Sequence, residues 1–243
     1  AEQGAAIIAV DVCAPLPGVQ YDPATEDDLA ETVRLVEGVG GKIIASRADT
    51  RDRAASSRDR RRRRGVRQAR RGRRQRRIMI MKAWDDVTPE DFAIIQDVNV
   101  TGTWNTIQLA APHVIAAGGG SMILTSSVAG LKGQPFLSPY VASKHAVVGL
   151  MKAYAAELAQ HNVRVNTLHP TGVLTGMGSG EGMSSIQDLF GSNPRLGPMM
   201  MNMLDVPITM PEDQAQAVLW LASDESKFVT SMEMKVDAGC ISF

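Results

Sequence analysis

Short apolar runs that end in an acid or a hydroxyl, each followed by a stretch of helical periodicity, recur along these 243 residues. That alternation constrains the fold most. Parallel strands buried on both faces read as continuous apolar runs, and each needs a crossover, usually a helix, before the next can pair. Residues 6–10 form such a run, closed by Asp11. Residues 26–37 follow with Leu29, Val33 and Val36 on one face and Thr25 placed to cap. "KIIAS" is the next strand, leading to Asp49. Thr88 and Pro89 open a long helix running to about His113, in cap and first-turn positions. "SMILTSS", residues 138–160, "VRVNTL", residues 211–223 and "MEMKVD" continue the alternation of strand and helix. The expectation is one α/β domain over 1–243, with a parallel sheet and helices on both faces. Ligands of such sheets bind outside the carboxyl ends of the strands. Asp11, Asp49, Ser126, Ser127 and residues 169–175 stand at those ends.

The formal net charge of zero conceals two different parts. Residues 58–77 hold 13 arginines and one acid, Asp59, which leaves 13 basic against 25 acidic residues elsewhere, a net of −12. So acidic a body repels phosphate backbones and argues against nucleic acid as the main partner. Cys13 and Cys240 have neither disulfide-framework nor metal-ligand spacing, and read as buried thiols of a reducing compartment. No apolar run is long enough to span a bilayer. A cytoplasmic protein without a metal is expected.

Tyr140 and Lys144 stand four apart at the start of the helix at 138–160, so they share a face that continues through Val147, Met151, Tyr154 and Leu158. A free tyrosine, with a pKa of about 10, is a poor base at neutral pH. An ammonium beside it favours the phenolate and makes the hydroxyl a usable proton donor and acceptor. Ser127, at the end of the preceding strand, is placed to reach the same point. Alone, Tyr-x-x-x-Lys is also an ordinary pair on a helix surface.

Taken with Ser127 thirteen residues before the tyrosine, "VNVTGTW" upstream and "NTLHPTGVLT" downstream, the pattern resembles the short-chain dehydrogenase/reductases. The resemblance covers nearly all of the chain except the arginine run. It implies a Rossmann-type doubly wound parallel sheet in three layers and hydride transfer between NAD and an alcohol or ketone. Ser127 would hydrogen-bond the substrate oxygen, Tyr140 would exchange its proton, Lys144 would bind the nicotinamide ribose, and Asn99 would hold a water of the proton relay. Asp11 would bind the adenosine ribose hydroxyls and, by its charge, reject a 2′-phosphate, favouring NAD over NADP. Asp49 matches the position that meets adenine. Pro170, Gly172, Val173 and Thr175 match the loop along the carboxamide and pyrophosphate, and His169 is expected to be a structural neighbour. Two long helices resemble the pair that makes the family's tetramers.

The proline-rich excursion "VCAPLPGVQYDPAT" after Asp11, with "HPTGV" and "VDAGC", is similar to the mycofactocin-associated subgroup that includes carveol dehydrogenases. There the excursion is thought to cover bound NAD. A substrate lid would lie between Gly176 and Met210, where "GPMMMNML" offers soft apolar side chains suited to a hydrophobic alcohol, or to ordinary core packing.

Two elements of the family pattern are missing. The resemblance places a first strand and a glycine-rich loop before Ala1, and an Asn-Ala-Gly strand end just before Ile78, where "RRQRR" stands instead. Val-Ala-Asn-Ala-Gly in GC-rich codons, GTC GCC AAC GCC GGC, becomes CGT CGC CAA CGC CGG when read one base early after a C. That translates as Arg-Arg-Gln-Arg-Arg. Residues 56–77 are therefore read as out-of-frame text in an incomplete copy, too charged to enter a sheet. The alternatives are an arginine-rich RNA- or DNA-binding element on an inactive dehydrogenase body, or a catalytically dead scaffold.

Overall fold

The computed structural model describes residues 1–19, 21–53, 73–74, 77–178 and 184–242. Most of the arginine run, and with it most of the out-of-frame reading, lies outside the described residues. In chain order the elements are β1 (Ile7–Asp11), α1 (Glu26–Gly38), β2 (Ile43–Arg47), β3 (Arg73–Arg74), α2 (Pro89–Gln96), α3 (Gly102–Ala116), β4 (Gly120–Thr125), α4 (Ser138–Leu158), β5 (Val163–Pro170), α5 (Ser184–Ser192), α6 (Pro211–Ala222) and β6 (Glu233–Val236). Short 3₁₀ turns join several of them.

Every described strand pair is parallel, as the alternation predicts. The described strands form two ladders, β2-β1-β3 and β4-β5-β6. The break falls after β3, where Ile78 donates its N–H to the Asn99 side chain and accepts from the same carboxamide. A side chain there satisfies backbone groups that a neighbouring strand would otherwise take. One expectation is corrected here: Arg73 and Arg74 do enter the sheet, opposite Ile8 and Ala9 of β1. Ladder bonds use backbone groups alone, which arginine supplies as well as valine does.

Local signals set most boundaries. Thr25 and Thr88 each cap a helix through a reciprocal pair with the acid three residues on, Asp28 and Asp91. The long helix begun at Thr88 is interrupted at Asp97–Thr101 by a single π-helical turn, which carries Asn99. Such turns often mark functional positions. The stripe on α1 is only partly covered, and no residue of that helix is fully buried.

The main core lies between α3, α4, β4 and β5, around Ile107, Val147, Met151 and Val165. Ile78, Ile80, Ile95 and Val98 form a second cluster, on which Leu16 and Val19 of the proline-rich excursion pack. Cys240 is fully buried. Cys13, expected to be buried, is only half-covered; it sits at φ 47° with its N–H on the Asp11 carboxylate. No helix among the described residues is long and apolar enough to cross a membrane.

Candidate active site

The carboxyl end of β4 delivers Ser126 and Ser127, and the first turns of α4 deliver Tyr140 and Lys144 to the same place. The Ser127 side chain hydrogen-bonds the Tyr140 hydroxyl, and its oxygen also accepts from the Ala129 N–H at 3.2 Å. Lys144 Nζ lies 5.1 Å from the Tyr140 ring centroid and donates to the Thr125 carbonyl at 3.3 Å. Both side chains are buried, Lys144 to 1% exposure. Ser126 Oγ donates to the Lys144 carbonyl at 3.0 Å, tying strand end to helix. Close approach requires glycine at 130: a Cβ there would collide with Ser126 Oγ and lie 2.9 Å from the Lys144 carbonyl oxygen.

Asn99 is fully buried beside this group. Its Oδ1 accepts from Ile78 N–H at 3.0 Å, and its Nδ2 donates to the Ile78 carbonyl at 2.9 Å and to Ser143 Oγ at 3.1 Å. In these contacts it braces the strand end. His169, also fully buried, lies 2.8 Å through Nδ1 from the Ser127 carbonyl and 2.8 Å through Nε2 from the Thr167 hydroxyl. A carbonyl only accepts, so Nδ1 carries the proton and Nε2 receives one. Burial lowers its pKa, which favours this neutral form. These bonds tie the end of β4 to β5.

The electrostatics differ from the sequence expectation. Burial raises the Tyr140 pKa, and the opposing pull comes from Ser127 and from Arg77, with no contribution from Lys144. Burial, helped by Arg77, drives Lys144 well below the ordinary ammonium range. The charge of Arg77, which was missed as a site residue, acts on both groups. Its only sequence signal is that it stands where the resemblance places the glycine of an Asn-Ala-Gly strand end.

A cleft at the carboxyl ends of β1 and β2 joins Asp11 and Asp49, walled by Val10, Leu16, Thr50, Arg51 and Val98. Asp49 is paired with Arg51, Nη2 to Oδ2 at 2.5 Å, which holds its carboxyl below the usual range although burial raises it. Past β5, the loop from Pro170 is pinned from outside: Gly172 O accepts from Thr209 N at 2.9 Å and Thr209 Oγ1 at 2.8 Å, and Val173 bridges Thr209. Thr175 is exposed. Beyond it, Met199, Met201, Met203 and Leu204 are exposed, and the N–H groups of Met203 and Leu204 donate to the Ala238 carbonyl. The structure thus gathers Ser127, Tyr140 and Lys144 at one point and Asp11 with Asp49 at another.

A family profile described as Enoyl-(Acyl carrier protein) reductase matches residues 74–240. A short-chain type dehydrogenase/reductase of Mycolicibacterium smegmatis is 42% identical, over 98% of this chain and 89% of its own length. The (-)-trans-carveol dehydrogenase of Rhodococcus erythropolis is 37% identical, over 98% of this chain and 89% of its own. A crystal structure of a short chain dehydrogenase from Mycobacterium paratuberculosis, bound to NAD, superposes with a TM-score of 0.90 at 45% identity, covering 100% of this chain and 90% of that one. The fold is of Rossmann type, and the site couples a buried tyrosine to a serine and a lysine. The chain belongs to the short-chain dehydrogenase/reductase family of oxidoreductases.

Proposed function

We propose that this protein is an NAD-dependent dehydrogenase that interconverts hydrophobic secondary alcohols and ketones. The Ser127–Tyr140–Lys144 group at the end of β4, with its tyrosine and lysine buried, carries the reading. The residues fit the cofactor at its adenosine end, where the Asp11 carboxylate and apolar walls from Val10, Leu16 and Val98 line one cleft. When bound, NAD supplies the hydride chemistry. The protein supplies position and charge. Ser127 orients the substrate oxygen, Tyr140 gives or takes its proton at Oη, Lys144 meets the ribose, and Asn99 holds the strand end against α4. Gly172, Val173 and Thr175 flank the cofactor past Pro170, and Asp49 borders adenine. The proline-rich excursion, packed through Leu16 and Val19, is a cover over the bound dinucleotide. The exposed methionines at 199–203 form a lid for an apolar substrate, consistent with the substrate named for the Rhodococcus relative. Assembly as a homotetramer through α3 and α4, and a cytoplasmic location, belong to this reading.

Assaying a panel of hydrophobic secondary alcohols and ketones with NAD and NADH tests it. Turnover of none of them would sink the assignment. Asp11 gives a sharper measure, because a carboxylate at the ribose repels a 2′-phosphate. In Asp11→Ala, the preference for NAD over NADP is expected to shrink about tenfold, roughly 1.4 kcal/mol. Tighter binding of NADP by the unchanged protein would refute the cofactor choice.

A further inference from the structure

Ser127 is held from two sides. Its carbonyl accepts from the Gly130 N–H at 2.9 Å and from the Nδ1–H of His169 at 2.8 Å. Gly130 closes the short turn Val128–Gly130 that Ser127 itself caps, so that bond travels with the turn. The bond from His169 does not. His169 stands near the end of β5, a strand paired with β4 on one side and β6 on the other. One residue before Ser127, the Ser126 N–H donates to the Leu168 carbonyl at 2.8 Å, backbone to backbone. The imidazole carries that tie one residue further, to the residue whose hydroxyl meets Tyr140.

The ring is itself fixed. Thr167 lies two residues back on the same strand, hence on the same face, and sets its Oγ1 2.8 Å from His169 Nε2. A hydroxyl has one hydrogen to give, and the Met232 carbonyl, at 3.4 Å, is the more distant acceptor. Nε2 receives it, and the ring's own hydrogen stays on Nδ1, aimed at Ser127. His169 and Thr167 are both fully buried, whereas His113, His145 and His161 are exposed.

We infer that His169 is a positioning residue: its Nδ1–H, held in place by Thr167, clamps the Ser127 carbonyl to β5 and so aims the Ser127 hydroxyl at the substrate oxygen. This rests on the reading of Ser127 above as the group that meets that oxygen, and adds what holds it there. Negative charge develops on the oxygen in the transition state, so a misplaced donor costs more there than in the ground state. Loss of the clamp lowers kcat and spares cofactor binding.

The test compares His169→Asn with His169→Gln. The amide nitrogen of asparagine stands as many bonds from Cα as Nδ1, and that of glutamine as many as Nε2, so only asparagine keeps a donor for Ser127. His169→Asn is expected to keep kcat within about threefold and His169→Gln to lose about tenfold or more, with the cofactor Kd unchanged in both. Glutamine fills more of the space, so a kcat for His169→Gln equal to or above that of His169→Asn makes His169 a filler and overturns the inference. In a Ser127→Ala background, His169→Gln is expected to cost nothing further, because the group it aims is gone; an additive loss also overturns it. Nitrogen NMR of the unchanged protein labelled at histidine reads the clamp without substrate or cofactor. The slowly exchanging ring is expected to carry its hydrogen on Nδ1, and a hydrogen on Nε2 alone overturns the inference even where a variant fails to fold. If Ser127→Ala by itself keeps full activity, the reading of Ser127 fails and takes the inference with it.

Discussion

Tyr140→Phe is expected to reduce turnover by about 10²–10⁴-fold, the usual contribution of a positioned proton donor or acceptor, while leaving the cofactor dissociation constant nearly unchanged. The substitution removes one hydroxyl and keeps the ring. That ring packs against Met81, Ala129 and Leu137, so the apolar contacts survive. Ser127 keeps the Ala129 N–H on its oxygen. The unmutated enzyme should also show a characteristic pH dependence. Burial raises the Tyr140 pKa, so the hydroxyl stays protonated through the neutral range, and carbonyl reduction should decline only above the ordinary tyrosine value of about 10. Alcohol oxidation, which needs the phenolate, should rise over the same interval. Retention of activity within tenfold of the parent would remove Tyr140 from the chemistry.

Asn99→Ala should be the most destabilising single change near the site. The carboxamide satisfies both the N–H and the C=O of Ile78, at 3.0 and 2.9 Å, and Asn99 and Ile78 are each 0% exposed. Truncation strands two buried backbone groups, each costing about 1–3 kcal/mol, or about 2–6 kcal/mol together. It also opens a small cavity beside Ser143, which Asn99 meets at 3.1 Å. Asn99→Asp keeps the acceptor and loses the donor, so it should fall between the two. Urea denaturation of the three proteins, with unchanged slope, measures the order. A loss under about 1 kcal/mol in Asn99→Ala would mean that solvent reaches Ile78 and that the amide is not its brace.

The parts of the molecule legible in the sequence are those that depend on spacing along one element. Tyr140 and Lys144 share a face because a helix repeats every 3.6 residues, and the structure places both on α4, with Tyr140 in reach of Ser127 and Lys144 Nζ over the Tyr140 ring. Thr25 and Thr88 cap helices because each has an acid three residues on. The parallel strands follow from apolar runs separated by crossovers, and Asp11 and Asp49 share a cleft because Asp11 ends β1 and Asp49 lies two residues past β2, its parallel neighbour.

What depends on neighbours distant in sequence was not legible. The Tyr140–Lys144 spacing predicts an ammonium that lowers the tyrosine, but not the burial that opposes it by disfavouring charge on both groups. The "VNVTGTW" motif marks Asn99 as important, but only packing aims its amide at Ile78. The charge of the arginine run predicts exclusion from the sheet, yet Arg73 and Arg74 pair with β1 through backbone groups that every non-proline residue owns. The charge of Arg77 acts on Tyr140 although the two stand more than sixty residues apart in the chain. Periodicity and capping are local and can be read along a chain, whereas desolvation and charge proximity are sums over everything that folding brings near, and only the tertiary structure performs that sum.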